Sequence, residues 1–105
     1  MAAGFAERVW ALVRTVPPGR VTTYGEVAEA LFGVRKGARG VGQAMARCPA
    51  DVPWWRVVRA DGSTAPADCA AEQRARLLDE GVAFGADGRV ELSATGGGPF
   101  SPASG

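Results

Sequence analysis

The sequence predicts a mainly α domain with short β segments, organised around a helix-turn-helix. Three observations carry that expectation: apolar residues recur at helical spacing in separate stretches, Pro and Gly punctuate the chain between them, and two short helical patterns meet at a tight Gly-containing turn. Phe5, Val9, Leu12, Val13 and Val16 share one face of a helix over 5–16, and Trp10 widens that face. Pro17-Pro18-Gly19 stops it, because proline cannot continue a helix and glycine turns the chain. Thr23-Tyr24-Gly25-Glu26 is a capping box, with Thr23 at the N-cap and Glu26 three residues on, and the helix it opens places Val27, Ala28 and Leu31 on one side. Gly33 to Gly37 is a turn, and a third helix over Ala38–Arg47 offers Val41, Ala44 and Met45 to a core.

Further along, Val52–Arg59 mixes β-formers with Pro53 and reads as an irregular segment entering a strand. Ala60-Asp61-Gly62-Ser63 is a turn. Asp68–Glu80 is a last helix, capped by Asp68 and stopped by Gly81. Val82–Phe84 and Arg89–Leu92 flank a turn at 86–88, a small hairpin signal. From Ser93 the chain is Gly, Ser, Pro and Ala with one Thr and one Phe, so the expected organisation is one domain over 1–92 and a disordered tail over 93–105.

Bulk properties narrow the function. A chain of 105 residues with 47% hydrophobic and 22% charged residues suits one globular domain. No apolar stretch is long enough to cross a membrane and no cationic start precedes an apolar run, so a cytoplasmic protein is the default; a monomer is expected. Two cysteines, Cys48 and Cys69, and no histidine leave no ordinary metal site, no cofactor site and no histidine base. The net charge is +1, yet residues 35–59 carry +5 while residues 60–105 carry −4. A compact basic segment points to an anionic partner; a solvated arginine-rich face has the same composition. Eleven of the twelve basic residues are arginine, which suits planar contacts to phosphates and base edges. Arg35, Lys36 and Arg47 are the candidate phosphate contacts. Gly37, Ala38, Gly40, Gly42 and Ala44 make the third helix smooth, which fits either tight packing or close approach to another surface, with Arg39 standing out among them.

The motifs resemble a known family. Val21 to Ala28 looks like the stretch entering the first motif helix of the O6-alkylguanine-DNA alkyltransferases, and Ala38 to Met45 is similar to their recognition helix. Pro53-Trp54-Trp55-Arg56-Val57-Val58 resembles their active-site segment, and Glu80-Gly81 the end of their last helix. The resemblance spans residues 5–92 and implies a winged helix-turn-helix-like DNA-binding domain. It is nearest the alkyltransferase-like proteins, which carry Trp in place of the nucleophilic Cys, here Trp54.

What the resemblance implies follows residue by residue. Tyr24 falls on the tyrosine that pushes the target nucleotide's phosphate, and Arg39 on the arginine that fills the gap left by a flipped base. Ala38, Gly40, Gly42 and Gln43 fall on the helix that enters the minor groove. Trp54 and Trp55 would wall the pocket for the alkyl group, Trp55 replacing a proton-relaying histidine and Cys48 replacing a bracing asparagine. Arg56 and Glu80 would form a structural network beneath. The implied protein is not an enzyme. It would bind double-stranded DNA containing O6-alkylguanine and signal to nucleotide excision repair proteins. A helix-turn-helix regulator without lesion recognition is the alternative. Residual alkyl transfer to Cys48 or Cys69 is a third reading, weakened by the expectation that both lie away from the motif.

Overall fold

The computed structural model describes residues 4–64 and 67–91, without the side chains of Arg35, Ala67 and Asp68. The expected tail over 93–105 and residues 65–66 lie outside the described residues. Within them run α1 (Phe5–Val13), β1 (Thr22–Thr23), α2 (Tyr24–Phe32), α3 (Ala38–Met45), β2 (Val57–Val58) and α4 (Ala67–Asp79). Single 3-10 turns occupy Arg35–Gly37 and Trp54–Arg56.

Local chemistry explains most of the boundaries. The Thr23 hydroxyl accepts the Glu26 N–H at 3.0 Å, and the Glu26 carboxylate accepts the Thr23 N–H at 3.0 Å, completing the capping box. Gly33 ends α2 in the left-handed conformation that glycine adopts without a steric penalty. Two helices are shorter than their apolar pattern. The first stops at Val13, although Val16 is still buried, because a turn ahead of Pro17 carries the pattern on. The third stops at Met45, and Ala46 and Arg47 continue it only as a turn. The last helix starts at Ala67, so Asp68 lies inside it rather than at its cap. The hairpin expected over 82–92 is reduced to one antiparallel bridge, Phe84 with Val90.

The two strands pair in parallel, Thr22 opposite Val57 and Thr23 opposite Val58. This pairing joins segments 35 residues apart and separates two cores. One gathers Val9, Val13, Val27, Ala28, Val41, Ala44, Met45, Val52 and Val57 from the first three helices and β2. The other gathers Val21, Val58, Leu77, Val82 and Val90 around α4. Trp10 pins α1 to α3 by donating its indole N–H to the Ala44 carbonyl at 2.9 Å. Gln73, fully buried on α4, donates its amide to the carbonyls of Trp55 and Val57 at 3.1 and 2.9 Å. The last helix is thereby fastened to the backbone on both sides of the 3-10 turn.

The turn after β2 is locked by Gly62. Its φ is +85°, and a Cβ there would stand 2.5 Å from the Val90 carbonyl oxygen, while its own carbonyl accepts the Val90 N–H at 2.9 Å. Replacing Gly62 by Ala should therefore destabilise the fold by about 1–3 kcal/mol through backbone strain. A urea denaturation midpoint unchanged from the parent chain would show that this turn relaxes freely.

Candidate nucleic-acid interface

Helix α3 presents different residues to its two sides. Phe5 and Phe32 stack with their centroids 5.6 Å apart and planes within 8°. A Cβ at Gly40 would lie 3.3 Å from the Phe5 ring, and one at Gly37 would lie 3.4 Å from the Phe32 ring. Those two glycines serve packing. Gly42 has nothing within 4 Å of the position its Cβ would take. Together with Ala38, Arg39, Met45 and Ala46 it forms one side of a cleft of about 890 Å³. Of the two explanations offered by the sequence for the smooth helix, tight packing holds for Gly37 and Gly40, while Gly42 leaves its face open.

The remaining walls come from Tyr24, Cys48, Trp54, Arg59, Cys69 and Glu72. Tyr24 is the first residue of α2 and Arg59 the first after β2, so the parallel register of Thr23 and Val58 delivers both to the same end of the sheet. Burial pushes the Tyr24 phenol up from its ordinary value, opposed by the positive charge of Arg59. The hydroxyl is a neutral donor and acceptor near neutral pH. Arg39 is exposed beside it on α3.

The two adjacent tryptophans diverge. Trp54 packs on the first core and faces the cleft. Trp55 stands at 88° to it, packs on the second core and does not line the cleft. The expectation that both wall one pocket is corrected on this point. Trp55 is drawn away because its indole N–H finds Glu80 at 2.9 Å, while Arg56 and Arg76 lie over its ring at 5.1 and 4.6 Å.

Glu80 is the hub beneath the site. Its carboxylate accepts from the Arg56 guanidinium at 2.7 and 3.0 Å, from Trp55, and from the Gly19 N–H at 3.1 Å, while Arg56 also donates to the Val16 carbonyl at 2.9 Å. Burial pushes the Glu80 carboxyl up, but the hydrogen bonds from Arg56, Trp55 and Gly19 and the charge of Arg56 outweigh it and hold it below the usual glutamate range. The pairing of Arg56 with Glu80 is as the sequence led us to expect.

The cysteines are placed differently from expectation. Cys48 and Cys69 both line the cleft rather than lying away from the motif. Cys48 follows the α3 turn, and Cys69 comes from the first turns of α4, a long-range approach that spacing alone does not reveal. Burial pushes the Cys48 thiol up, so near neutral pH it is a protonated and weak nucleophile. Among the described residues no group of His, Cys, Asp or Glu is arranged to hold a metal ion, and no helix is long and apolar enough to cross a membrane.

Lys36 and Arg47 are exposed at the two ends of α3; neither lines the cleft, and the Arg35 side chain lies outside the described atoms. Gln43 is exposed on α3, also away from the cleft lining. Sequence reasoning missed Met45, Ala46, Arg59 and Glu72 as cleft residues. Met45 and Ala46 were within reach, since they share a helix face with Ala38 and Gly42.

A helix-turn-helix with a smooth second helix beside a cleft walled by Trp and Tyr defines a DNA-binding domain of the helix-turn-helix type. Residues 4–82 match the family model described as "6-O-methylguanine DNA methyltransferase, DNA binding domain". The chain belongs to this family. It is 42% identical over 93 residues to the "DNA base-flipping protein" of Escherichia coli, covering 84% of this chain and 70% of that protein. It is 40% identical over 83 residues to "Alkyltransferase-like protein 1" of Schizosaccharomyces pombe, covering 74% and 76% of the two chains. The crystal structure of S. pombe Atl1 in complex with damaged DNA containing O6-carboxymethylguanine superposes with a TM-score of 0.67 at 37% identity, over 84% of this chain and 87% of that one.

The depressed Glu80 carboxyl makes an acid-stability test possible. A group whose folded-state pKa is lowered contributes fully above its unfolded value, and its contribution is lost as pH falls through the folded value. Urea stability should hold level down to about pH 5 and decline below it, and Glu80→Gln should make that acid limb shallower while lowering stability near neutrality. An acid limb of unchanged slope would show that other carboxylates carry it. Arg56→Met, which leaves the carboxylate buried and unpaired, should cost about 3 kcal/mol.

Proposed function

We propose that this protein is a non-enzymatic sensor of O6-alkylguanine in duplex DNA. It binds from the minor groove, flips the alkylated nucleotide into the cleft, and marks the lesion for nucleotide excision repair. The observation that carries the reading is Trp54. It stands in the cleft between Tyr24 and the open face of α3, at the position where the family resemblance puts the nucleophile. An indole cannot accept an alkyl group in a displacement, so the site holds the adduct and leaves it intact. The names of the E. coli and S. pombe relatives and the damaged-DNA complex of the latter support this reading.

The physical steps follow from the site. An O6-alkyl group removes the guanine N1 proton and weakens pairing with cytosine, so extruding that base costs less than the few kcal/mol an intact pair demands. The face of Ala38, Gly42 and Ala46 admits a close approach to the groove, with few side chains able to read base edges. Arg39 fills the vacated space in the stack, and Tyr24 holds the rotated phosphate. Lys36, Arg47 and Arg35 add contacts to the backbone that carry affinity without sequence preference. Each methylene buried against Trp54 contributes about 0.8 kcal/mol, close to fourfold in affinity. Because the alkyl group stays on the base, a second system must excise it, and the distorted duplex is what nucleotide excision repair would receive. The protein acts as a monomer on DNA in the cytoplasm.

Fluorescence anisotropy with two duplexes, identical except for one O6-methylguanine, tests the proposal at two salt concentrations. Tighter lesion binding that persists at the higher salt is expected. Equal and strongly salt-dependent binding to both would leave a backbone-binding helix-turn-helix regulator instead. Arg39→Ala should weaken lesion binding by about tenfold or more, in line with loss of a charge-assisted contact, without lowering thermal stability. Tyr24→Ala should reduce the signal of a fluorescent base analogue at the target position. Trp54→Ala should erode the preference for longer alkyl groups more than it lowers affinity for plain duplex; a uniform loss would assign Trp54 to packing.

A further inference from the structure

We infer that Arg59 makes this cleft prefer O6-adducts carrying a negative charge, such as a carboxymethyl group, over neutral adducts of the same size. The inference rests on the sensor reading above and adds a specificity-determining residue to it.

Three features place Arg59. The register of Thr23 opposite Val58 brings it out of the sheet beside Tyr24, and both line the cleft with Trp54. Its backbone is pinned: its N–H donates to the Ser63 carbonyl at 3.0 Å, its carbonyl accepts the Gly62 N–H at 2.8 Å, and Gly62 is in turn tied to Val90. The guanidinium therefore extends from a fixed base. It is exposed and forms no ion pair among the described residues.

The charge of the cleft then decides the preference. Two other described groups on its lining are charged, Arg39 and Glu72. Arg39 leaves the cleft for the base stack in the proposed complex. Glu72 is already held by Arg76 at 2.9 Å. Once the base is flipped, the uncompensated charge beside it is that of Arg59. Trp54 offers an apolar wall to the adduct's methylene, and Arg59 offers a planar fork of donors that matches a carboxylate. A neutral amide of the same shape presents its own N–H donors to that fork and gains no charge attraction. A phosphate contact by Arg59 is the competing role, and it predicts a loss of affinity that is the same for every duplex.

The test uses four duplexes that differ at one base: guanine, O6-methylguanine, O6-carboxymethylguanine and its neutral near-isostere O6-carbamoylmethylguanine. The full chain should bind the carboxymethyl duplex about threefold to fivefold more tightly than the carbamoylmethyl duplex, the range of a solvent-exposed ion pair. Raising the salt should shrink that ratio. Arg59→Gln should bring the ratio to about one, and Arg59→Lys should keep part of it because the charge remains. Equal binding of the two isosteres by the parent chain, with O6-methylguanine still preferred over guanine, would overturn the role of Arg59 and leave the sensor reading standing. A uniform loss across all four duplexes in Arg59→Gln would assign Arg59 to the phosphate backbone and also overturn it. No preference for O6-methylguanine over guanine would remove the sensor reading, and the inference with it.

Discussion

The Arg56–Glu80 pair is the constraint on which the rest of the structure depends. Arg56 reaches the turn after α1 through the Val16 carbonyl, and Glu80, just past α4, holds Gly19 and Trp55. Three stretches of chain converge on two side chains that are each largely buried. Burying two charges is costly unless their donors and acceptors are filled, and here both carboxylate oxygens accept hydrogen bonds while the guanidinium engages Glu80 and a backbone carbonyl. The gain is positional. With Trp55 bound into this network, the 3-10 turn, which sets successive side chains about 120° apart, directs Trp54 away from it and toward the cleft. The aromatic wall of the cleft thus follows from an ion pair that takes no part in lining it.

A second constraint is the parallel pairing of two very short strands. On its own, a pair of two-residue strands is marginal. It holds because Val57 belongs to one core and Val58 to the other, while Gln73 secures the Trp55 and Val57 carbonyls from α4. The register then fixes which residues leave the sheet together. Moving β2 by one residue would turn Val57 and Val58 to the wrong cores and carry Arg59 away from Tyr24. Cleft composition is therefore tied to core packing rather than to the cleft itself.

The sequence made local structure legible and left its long-range geometry hidden. The capping box at Thr23 and Glu26, the stop at Pro17–Gly19 and the left-handed Gly33 each depend on residues within four positions, so they could be read directly. The helix ends at Val13 and Met45 fall short of the sequence pattern because buried Val16, and Ala46 and Arg47, continue it through turns. The family resemblance singles out Tyr24 and Arg39 for base flipping and Trp54 for the pocket wall, and the fold places all three on one cleft. Trp55 was misplaced because pattern cannot show that its one donor has an acceptor 25 residues away. Arg59, Glu72, Cys48 and Cys69 meet in the cleft through strand pairing and the docking of α4, which leave no periodic trace.

The indole at position 55 bears on how the architecture can stand without a proton relay. A histidine at this position offers a donor and an acceptor and can carry a proton between them, whereas an indole offers a donor alone. Glu80 needs only the donor. Its carboxylate is satisfied by Trp55 at 2.9 Å, so the network beneath the site is complete without a relay. On the cleft side, Cys48 sits where it could meet a bound adduct, yet burial keeps its thiol protonated, and the carboxylates of Asp51 and Glu72 are each paired with an arginine. Attack on an alkyl carbon requires a thiolate, and activation requires an adjacent base or a strongly lowered pKa. Binding needs neither. A chain that has the Glu80 network and the walls of the cleft without a relay or a thiolate has what the proposed recognition needs and lacks what transfer needs, and that asymmetry is the physical ground for proposing a sensor.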